Sequence, residues 1–401
     1  MLSYRKLAMR VLGRPLHTGG NDSPRPASQR AAALVLTAAL LTGAAFPAFA
    51  DTYYIENGDI TISAGTVAGT NKVEQGGTLK SENDKDTVIT NQNKDTASSN
   101  TVTIEANGKD DKVEVTLDNV NIKAKTDSGS ALTSKGDVTL TLKGDNHLTG
   151  GNGSSSGIVS HFGSSGISGS GSLTITGGEN DSLTAQGGDG SLGGGGITID
   201  EGSLTISGGT VNAASGDGGS NAGMYGSGIY INIGSLTVSG GTVNATGSNG
   251  GGGSYGGNGI SSSGSLTISG GTVDAKGGNS KNGSGGSGIY SFDPVAISGG
   301  TVTATGGNST GSDGSGGNGI SSTSTTISGG TVTANGGSGN SSGGNGIRSF
   351  DHVAISGGTV NAAGGDGTNS NGGEGIYGRK GIDLSGSLEL TAKAGSPNGK
   401  A

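Results

Sequence analysis

Apolar and polar residues alternate along short segments that recur through the second half of the chain. SLTIS from Ser203 and TVNA from Thr210 place apolar residues at every second position, which is typical of β-strands with one buried face. The Gly-Gly pair between them predicts a tight turn. A third short element, Gly-Ile-x-x, follows after roughly ten residues rich in Gly, Ser, Asn and Asp. The pattern therefore predicts three short strands per repeat.

The three-strand unit returns at nearly constant intervals. The apolar residue before the Ser/Thr-Gly pair recurs at steps of 31, 32, 30, 29, 30, 28 and 29 residues. These positions are Ile175, Ile206, Val238, Ile268, Ile297, Ile327, Ile355 and Leu384. One unit has too little apolar surface to fold alone, so the units must stack. We predict an all-β, parallel β-helix of about ten coils, right-handed because parallel crossovers take that hand.

The alternation also predicts which side chains form the core of each coil and how far the helix extends. Leu204, Ile206, Val211, Ala213 and Ile229 should point inward, and Thr205, Thr210 and Asn212 outward. Residues 51–401 read as a single domain, with looser coils over 51–170 and regular coils over 171–395. DITISAGTVAG, residues 59–69, resembles a first copy of the repeat.

Composition excludes several classes of protein. The chain has 89 Gly, 6 Pro and no Cys or Trp. Glycine does not recur at every third residue, so collagen is excluded, and regularly spaced Val, Ile and Thr argue against disorder. The absence of cysteine excludes a disulfide framework and a thiolate metal site.

The first 50 residues differ from the rest and read as a secretory signal peptide. Arg25 and Arg30 precede an uncharged run that ends in Pro-Ala-Phe-Ala, which predicts cleavage between Ala50 and Asp51. A transmembrane helix is the alternative, but the run is rather short for it. We therefore expect a secreted or cell-surface protein whose mature chain does not insert into the membrane.

Removing the leader makes the chain strongly acidic. Residues 51–401 carry 17 Lys and Arg against 30 Asp and Glu, a formal charge of −13. Nucleic-acid binding needs clustered Lys and Arg on one face. We therefore expect no nucleic-acid partner.

Two N-terminal blocks and the repeats that follow resemble a known family. The blocks are Val113–Ile122 and Gly129–Gly151, and the Gly-Ile and Ile-Ser-Gly-Gly units continue to about Leu384. Together they resemble the secreted carbohydrate-binding domain proteins of clostridial-type bacteria. The resemblance implies a right-handed β-helix that binds polysaccharides, including acidic ones, with calcium held between coils.

One feature departs from the family's pattern and concerns calcium, the one cofactor that the resemblance implies. The family often has Asp before Gly-Ile, whereas this chain has Ser227, Asn258, Ser287, Asn318, Asn345 and Glu374. Calcium prefers several carboxylate oxygens, so the change argues against the family's calcium sites. Asp366 and Glu374, which share one loop, remain the candidate calcium ligands.

Candidate carbohydrate-binding residues follow from the outward positions. The residue after Gly-Ile should be exposed, and here it is Tyr230, Ser261, Tyr290, Ser321, Arg348 and Tyr377. A tyrosine offers a sugar an apolar ring face and a hydroxyl, so Tyr230, Tyr290 and Tyr377, with Arg348, form one candidate ladder. Asn212, Asn244 and Asn361 form a second, polar candidate column. The alternative is that these side chains only cover their own sheet.

These features favour a non-catalytic polysaccharide-binding protein, with two other classes left open. One is a structural surface stalk or adhesin without a specific ligand. The other is a polysaccharide lyase or glycosidase, which would need converging acidic or basic groups. Arg348, Asp351 and His352 lie close in sequence, but the position equivalent to His352 in another coil is Pro294. We therefore interpret Asp351 as a turn residue and Phe350 as a local cap.

Overall fold

The computed structural model describes residues 51–108, 110–154, 162–218, 226–250 and 255–400. The predicted leader, including Ala50, lies outside the described residues, and Asp51 is the first of them. The described residues belong to one compact unit.

The described residues form β-strands of 3 to 13 residues and one single-turn 3-10 helix, Ile55–Asn57. Two of the strands, Ile197–Ile206 and Ile229–Val238, each join the Gly-Ile strand and the following strand, which the sequence pattern predicted as separate. The strands are β1 Thr52–Tyr54, β2 Ile60–Ala64, β3 Asn71–Gln75, β4 Thr78–Asp84, β5 Val88–Thr90, β6 Val102–Glu105, β7 Lys112–Asp118, β8 Asn121–Lys123, β9 Leu132–Lys143, β10 Asp145–Thr149, β11 Ile167–Gly177, β12 Ser182–Gln186, β13 Ile197–Ile206, β14 Thr210–Ala214, β15 Ile229–Val238, β16 Thr242–Thr246, β17 Ile260–Ser262, β18 Leu266–Ile268, β19 Thr272–Lys276, β20 Ile289–Ser291, β21 Val295–Ile297, β22 Thr301–Thr305, β23 Ile320–Ser322, β24 Thr325–Ile327, β25 Thr331–Asn335, β26 Ile347–Ser349, β27 His352–Ala363, β28 Ile376–Gly378 and β29 Gly381–Lys393.

Successive coils stack in register, which confirms the predicted all-β solenoid of parallel coils, with about ten turns. In the Gly-Ile sheet, Ile260 pairs with Ile289, and Ile289 pairs with Ile320. In the next sheet, the residues that defined the repeat pair with each other, as Ile268 does with Ile297. Each coil therefore places equivalent residues directly above one another, as the sequence period predicts.

Apolar side chains from every sheet fill the interior. Leu204, Ile206, Val211, Ala213 and Ile229 are all at most 1 % exposed, which confirms the predicted inward set. Thr205, Thr210 and Asn212 are half-buried and lie on the outward side of the same strands. Period-two alternation within each strand therefore decides which side chains form the core.

Hydroxyl groups replace apolar side chains at one corner of the interior. Ser262, Ser291, Ser322 and Ser349 are fully buried, and Thr325 is buried where neighbouring coils have Val295 and Val353. The Thr325 Oγ1 atom lies 2.7 Å from Ser322 Oγ and 2.9 Å from Ser349 Oγ. The three hydroxyls satisfy one another, as buried polar groups must.

The N-terminal region differs from the prediction that residues 59–69 form a first copy of the repeat. Strand β2 does pair in parallel with β6. The segment after it does not form the second strand, because Gly65 N–H donates to Thr70 O (2.7 Å) and β3 then pairs antiparallel with β2. Strand β4 pairs antiparallel with β3, so this end of the solenoid carries an antiparallel meander.

Glycine pairs close the base of each long loop, where two chain limbs meet. Gly286 N–H donates to Gly278 O (2.9 Å), and Gly278 N–H donates to Gly257 O of the preceding coil (2.8 Å). A Cβ atom on Gly278 would lie 1.8 Å from Ser248 O, and one on Gly286 would lie 1.9 Å from Gly257 O. Glycine is required here because the backbones approach too closely to leave room for a side chain.

Each long loop has a first limb, which follows the Thr-Val strand, and a second limb, which leads into the next Gly-Ile strand. Asn and Asp side chains connect successive coils on both limbs. On the first limb, a side-chain Oδ1 accepts the backbone N–H of the equivalent residue one coil on, at 2.7–2.9 Å, for Asn152, Asp189, Asn249, Asn279, Asn308 and Asp366. We call this column the first-limb ladder. The residues before Gly-Ile form a similar Gly-Ile ladder, in which the side chains of Asn258, Asn318 and Asn345 accept at 2.7–2.9 Å.

Candidate functional site

The residue after each Gly-Ile pair lies in register with its equivalents, so the predicted ladder exists as a column of stacked residues. Thr198, Tyr230, Ser261, Tyr290, Ser321, Arg348 and Tyr377 pair successively along the parallel sheet. Two positions further on lies a second column of Asp200, Asn232, Ser263, Phe292, Thr323, Phe350 and Arg379. We call the two columns together the outer strip.

The expectation that every residue of the first column is exposed is wrong. Tyr230 is 8 % exposed, and Ser261 and Ser321 are 1 % exposed. Tyr290, Arg348 and Tyr377 are half-buried. Pointing outward from the strand therefore does not by itself predict exposure in this column.

The second column provides the exposed aromatic rings. Phe292 is 49 % exposed, and its ring meets that of Tyr290 edge-on, with centroids 4.9 Å apart and an interplanar angle of 88°. The Thr323 hydroxyl of the next coil donates to the Phe292 carbonyl oxygen. Phe292 is therefore a ring held by a neighbour and open to solvent on one side.

Phe350 repeats this arrangement two coils further on. It is 41 % exposed, and the guanidinium carbon of Arg348 lies 4.5 Å from its ring centroid, a cation–π contact. Two coil spacings separate the two phenylalanines by roughly 10 Å along the solenoid axis. The ring is partly exposed and packs on a neighbouring side chain, so the interpretation of Phe350 as a local cap stays a prediction.

Two opposing effects act on the pKa of the Tyr290 hydroxyl. Burial raises the pKa of the Tyr290 hydroxyl, and the positive charge of Arg348 opposes that rise. The hydroxyl therefore stays protonated at neutral pH and can donate a hydrogen bond. The described part of the strip between Tyr290 and Arg379 combines aromatic rings, hydroxyls and two guanidinium groups.

A concave pocket of about 610 Å³ lies at the other end of the outer strip. Its lining includes Phe162, Leu192, Asp200, Tyr230 and Asn232. Phe162 is 59 % exposed, and the Tyr230 hydroxyl donates to Asn232 Oδ1 at 3.2 Å. Tyr230 therefore lines this pocket, although little of its ring is exposed.

The polar column of candidate residues divides into separate parts. Asn244 Nδ2 donates to Asn212 Oδ1 at 2.7 Å, so these two side chains bond each other across coils. Asn361 is exposed, but Asp274, Thr303 and Thr333 stand between it and Asn244 in the register. The structure therefore brings Asn212 and Asn244 together and leaves Asn361 four coils from Asn244.

The two candidate calcium ligands belong to different hydrogen-bond ladders. Asp366 Oδ1 accepts the Ser396 N–H (2.8 Å) on the first-limb ladder. Glu374 is half-buried, and its backbone N–H donates to Asn345 on the Gly-Ile ladder. Within the described ranges, no three His, Asp or Glu side chains come close enough together to hold a metal ion.

Asp351 forms an ion pair with Lys380 and also contacts His352 at the edge of the strip. Asp351 Oδ1 lies 2.9 Å from His352 Nδ1 and 3.1 Å from Lys380 Nζ. Lys380, and then the charge of His352, hold the pKa of the Asp351 carboxyl below its usual value. Asp351 therefore joins its own turn to the next coil, because Lys380 N–H also donates to its carbonyl oxygen.

No family model, curated protein or solved structure matches this chain. In the part of the chain that the structure describes, no helix is long and apolar enough to cross a membrane.

Sequence reasoning missed Phe292 and Phe350 as surface residues. A signal was present, because Ser-Phe-Asp occurs in two coils at the same offset after Gly-Ile. The strict alternation of the repeat ends at the corner that follows Ser291 and Ser349. Alternation alone therefore could not assign a direction to the phenylalanines.

Proposed function

We propose that this chain is a secreted, non-catalytic protein that binds a polysaccharide along the outer strip. The observation that supports the proposal best is the pair of exposed rings, Phe292 and Phe350, separated by two coils and each held by a neighbouring side chain. Secretion rests on the predicted leader, and the sequence resemblance to carbohydrate-binding proteins agrees with the proposal.

The geometry of the strip suits an elongated ligand. Equivalent positions repeat at about 4.8 Å along the axis, so a chain of linked sugars would meet similar groups at regular intervals. Sugar rings present an apolar face that stacks on aromatic rings, and Phe292 and Phe350 offer two such platforms. Between them, Thr323 is exposed and carries a hydroxyl within the same column.

The groups beside the rings would orient the polymer. Tyr290 and Tyr377 carry hydroxyls that can donate or accept, and Arg348 and Arg379 donate from fixed planar groups. Most of these side chains are half-buried or held by neighbours, which lowers the entropy lost on binding. Affinity would come from several modest contacts over two to four coils.

A polysaccharide array probed with and without calcium tests this function. The paired variant Phe292→Ser with Phe350→Thr uses residues that the neighbouring coils carry in the same column, namely Ser263 and Thr323. We expect the variant to lose about 1–2 kcal/mol of binding free energy, roughly fivefold to thirtyfold in affinity.

A matched control removes exposed apolar groups far from the strip. Val67 and Leu79 are 56 % and 45 % exposed in the N-terminal region, so Val67→Ser with Leu79→Ser should leave binding unchanged. Retention of no polysaccharide by the unaltered protein would overturn the proposal and leave a structural stalk. Release of new reducing or unsaturated sugar ends would instead indicate an enzyme.

A further inference from the structure

A second groove lies on the first limb of the loops and shares no residue with the outer strip. It has a volume of about 720 Å³, and its lining includes Asp217, Asn249, Asn279, Asn308 and Lys281. The asparagines are consecutive rungs of the first-limb ladder, and all of them are exposed. We call this surface the amide groove.

The ladder fixes the orientation of these amides. Asn249 Oδ1 accepts Asn279 N–H at 2.9 Å, Asn279 Oδ1 accepts Asn308 N–H at 2.7 Å, and Asn308 Oδ1 accepts Ser338 N–H at 2.8 Å. The backbone is held as well, because Gly250 N–H donates to Asn279 O and Ser280 N–H to Asn308 O. Each amide therefore has its oxygen engaged and its NH2 group as the remaining donor.

These NH2 groups form a fixed row of hydrogen-bond donors. Within the described ranges, no hydrogen-bond partner is found for Nδ2 of Asn249, Asn279 or Asn308. Successive donors are one coil spacing apart, about 4.8 Å. Because the ladder holds them in place before a ligand arrives, little side-chain entropy would be lost on binding.

Charge and chemistry indicate what the row would bind. Asp217 at one end supplies carboxylate acceptors, Lys281 and Thr310 supply further donors, and the two charged side chains carry opposite signs. A sugar hydroxyl donates and accepts at once, so neighbouring hydroxyls can bond an amide and the carboxylate together. Among the described lining residues, the charges of Asp217 and Lys281 cancel, so an uncharged ligand fits the groove.

We propose that the amide groove is a second binding site, specific for neutral, hydroxyl-rich glycan chains, and that the protein therefore cross-links polysaccharides. The groove lies on the first limb of the loops and the outer strip follows the second, so one molecule can hold two chains. The inference goes beyond the proposed function, because the groove uses none of the aromatic residues.

The ladder itself supplies a conservative variant for the test. Asp189 Oδ1 accepts Asp217 N–H at 2.8 Å, so an aspartate fills this position without loss of the ladder bond. Asn279→Asp with Asn308→Asp should keep the fold and replace two donors with acceptors. Asn318→Asp with Asn345→Asp makes the same chemical change in adjacent coils of the Gly-Ile ladder and serves as the control.

The experiment measures binding and light scattering with soluble glucomannan, xylan, xyloglucan and β-1,3-glucan. We expect the unaltered protein and the Gly-Ile ladder control to bind and to aggregate at least one of them. Asn279→Asp with Asn308→Asp should still bind through the strip but lose aggregation at least tenfold. Phe292→Ser with Phe350→Thr should likewise lose aggregation, while keeping the weaker binding of the groove.

The outcomes separate the two proposals. Aggregation by the amide-groove variant equal to that of the unaltered protein would overturn the second site and leave the strip intact. Loss of binding in the amide-groove variant, with full binding in the phenylalanine variant, would overturn the strip and keep the groove. Absence of binding to all four glycans would overturn the neutral-glycan inference, and a polysaccharide array would then decide the function of the strip separately.

Discussion

The inward and outward sides of one sheet differ in how strictly they repeat. The inward position of the Gly-Ile strands is isoleucine in five successive coils, Ile260, Ile289, Ile320, Ile347 and Ile376, each at most 5 % exposed. The next residue along the same strands is Ser261, Tyr290, Ser321, Arg348 or Tyr377. Stacking requires the inner column to repeat, whereas the outer strip can vary and carry different chemistry from coil to coil.

The two ends of the solenoid show the same dependence on stacking. At the N-terminal end, Ile60, Ile62 and Val73 lie in β2 and β3 of the antiparallel meander and are at most 1 % exposed. In β29, Ile382 and Leu384 are 43 % and 53 % exposed, although their equivalents Val353 and Ile355 are fully buried. An inward position is therefore buried only where a neighbouring coil or a meander covers it.

The largest effect should follow from breaking the inner column. Ile320→Ala removes a fully buried side chain between two equivalent isoleucines, so we expect a loss of about 2–5 kcal/mol in the free energy of unfolding. Urea denaturation followed by circular dichroism measures it. Thr326→Ala, on the exposed side of β24, is the control and should cost less than about 0.5 kcal/mol. Equal losses in both variants would contradict the claim that stacking constrains the inner column more than the outward positions.

A smaller effect should follow from disturbing the buried hydroxyl cluster. Thr325→Val matches the valines of neighbouring coils in shape but leaves Ser322 and Ser349 without one partner. We expect a loss of about 1 kcal/mol. The triple variant Ser322→Ala, Thr325→Val and Ser349→Ala removes all three hydroxyls and should be less destabilised than Thr325→Val. A more stable Thr325→Val protein would show that the cluster does not stabilise the corner.

A third exposed phenylalanine should strengthen polysaccharide binding along the outer strip. Thr323→Phe places a third phenylalanine between Phe292 and Phe350 and removes the Thr323 hydroxyl that bonds Phe292 O. We expect a net rise in affinity for the bound polysaccharide of about 0.5–1.5 kcal/mol, roughly twofold to tenfold. Thr326→Phe puts the same ring on another sheet of the same coil. Calorimetric titration of both variants should show the gain in Thr323→Phe alone, and a gain in both would place binding elsewhere.

The smallest effect concerns the ion pair at the edge of the strip. The pKa of Asp351 lies below its usual value because of Lys380, so the pair contributes to stability at neutral pH and its contribution is lost as pH falls through that pKa. NMR titration of Lys380→Ala should show the Asp351 pKa moving up toward the usual value. Because Lys380 is exposed and Asp351 only half-buried, solvent screens the pair and the stability change should be near the limit of measurement. An unchanged pKa would exclude Lys380 as its cause.

The sequence predicted the parts of the fold that depend on side-chain periodicity. The spacing of Ile175, Ile206 and Val238 gave the coil length, and alternation gave the inward set correctly. The burial of Tyr230 could not be predicted, because it depends on contacts made by an outward position, which the period-two pattern does not record. Such contacts leave no apolar pattern in the sequence.

Neither the hydrogen-bond ladders nor the antiparallel meander could be predicted from the sequence, for related reasons. Asn279 and Asn308 stand among many Gly, Ser and Asn residues, and only the hydrogen bonds between coils show that they are stacked. In residues 59–69, the turn after β2 has nearly the composition of the later repeats. Its closure by Gly65 and Thr70 depends on the strand that follows.

Titration with oligosaccharides of increasing length tests most directly whether a polymer binds along the outer strip. The ligands are the di-, tetra- and hexasaccharides of the polysaccharide that the array identifies. We expect affinity to rise at least tenfold from the disaccharide to the hexasaccharide, because only a longer chain reaches both Phe292 and Phe350. In Phe292→Ser with Phe350→Thr this rise should disappear. A disaccharide that binds as tightly as the hexasaccharide, or a rise that persists in the variant, would contradict the account.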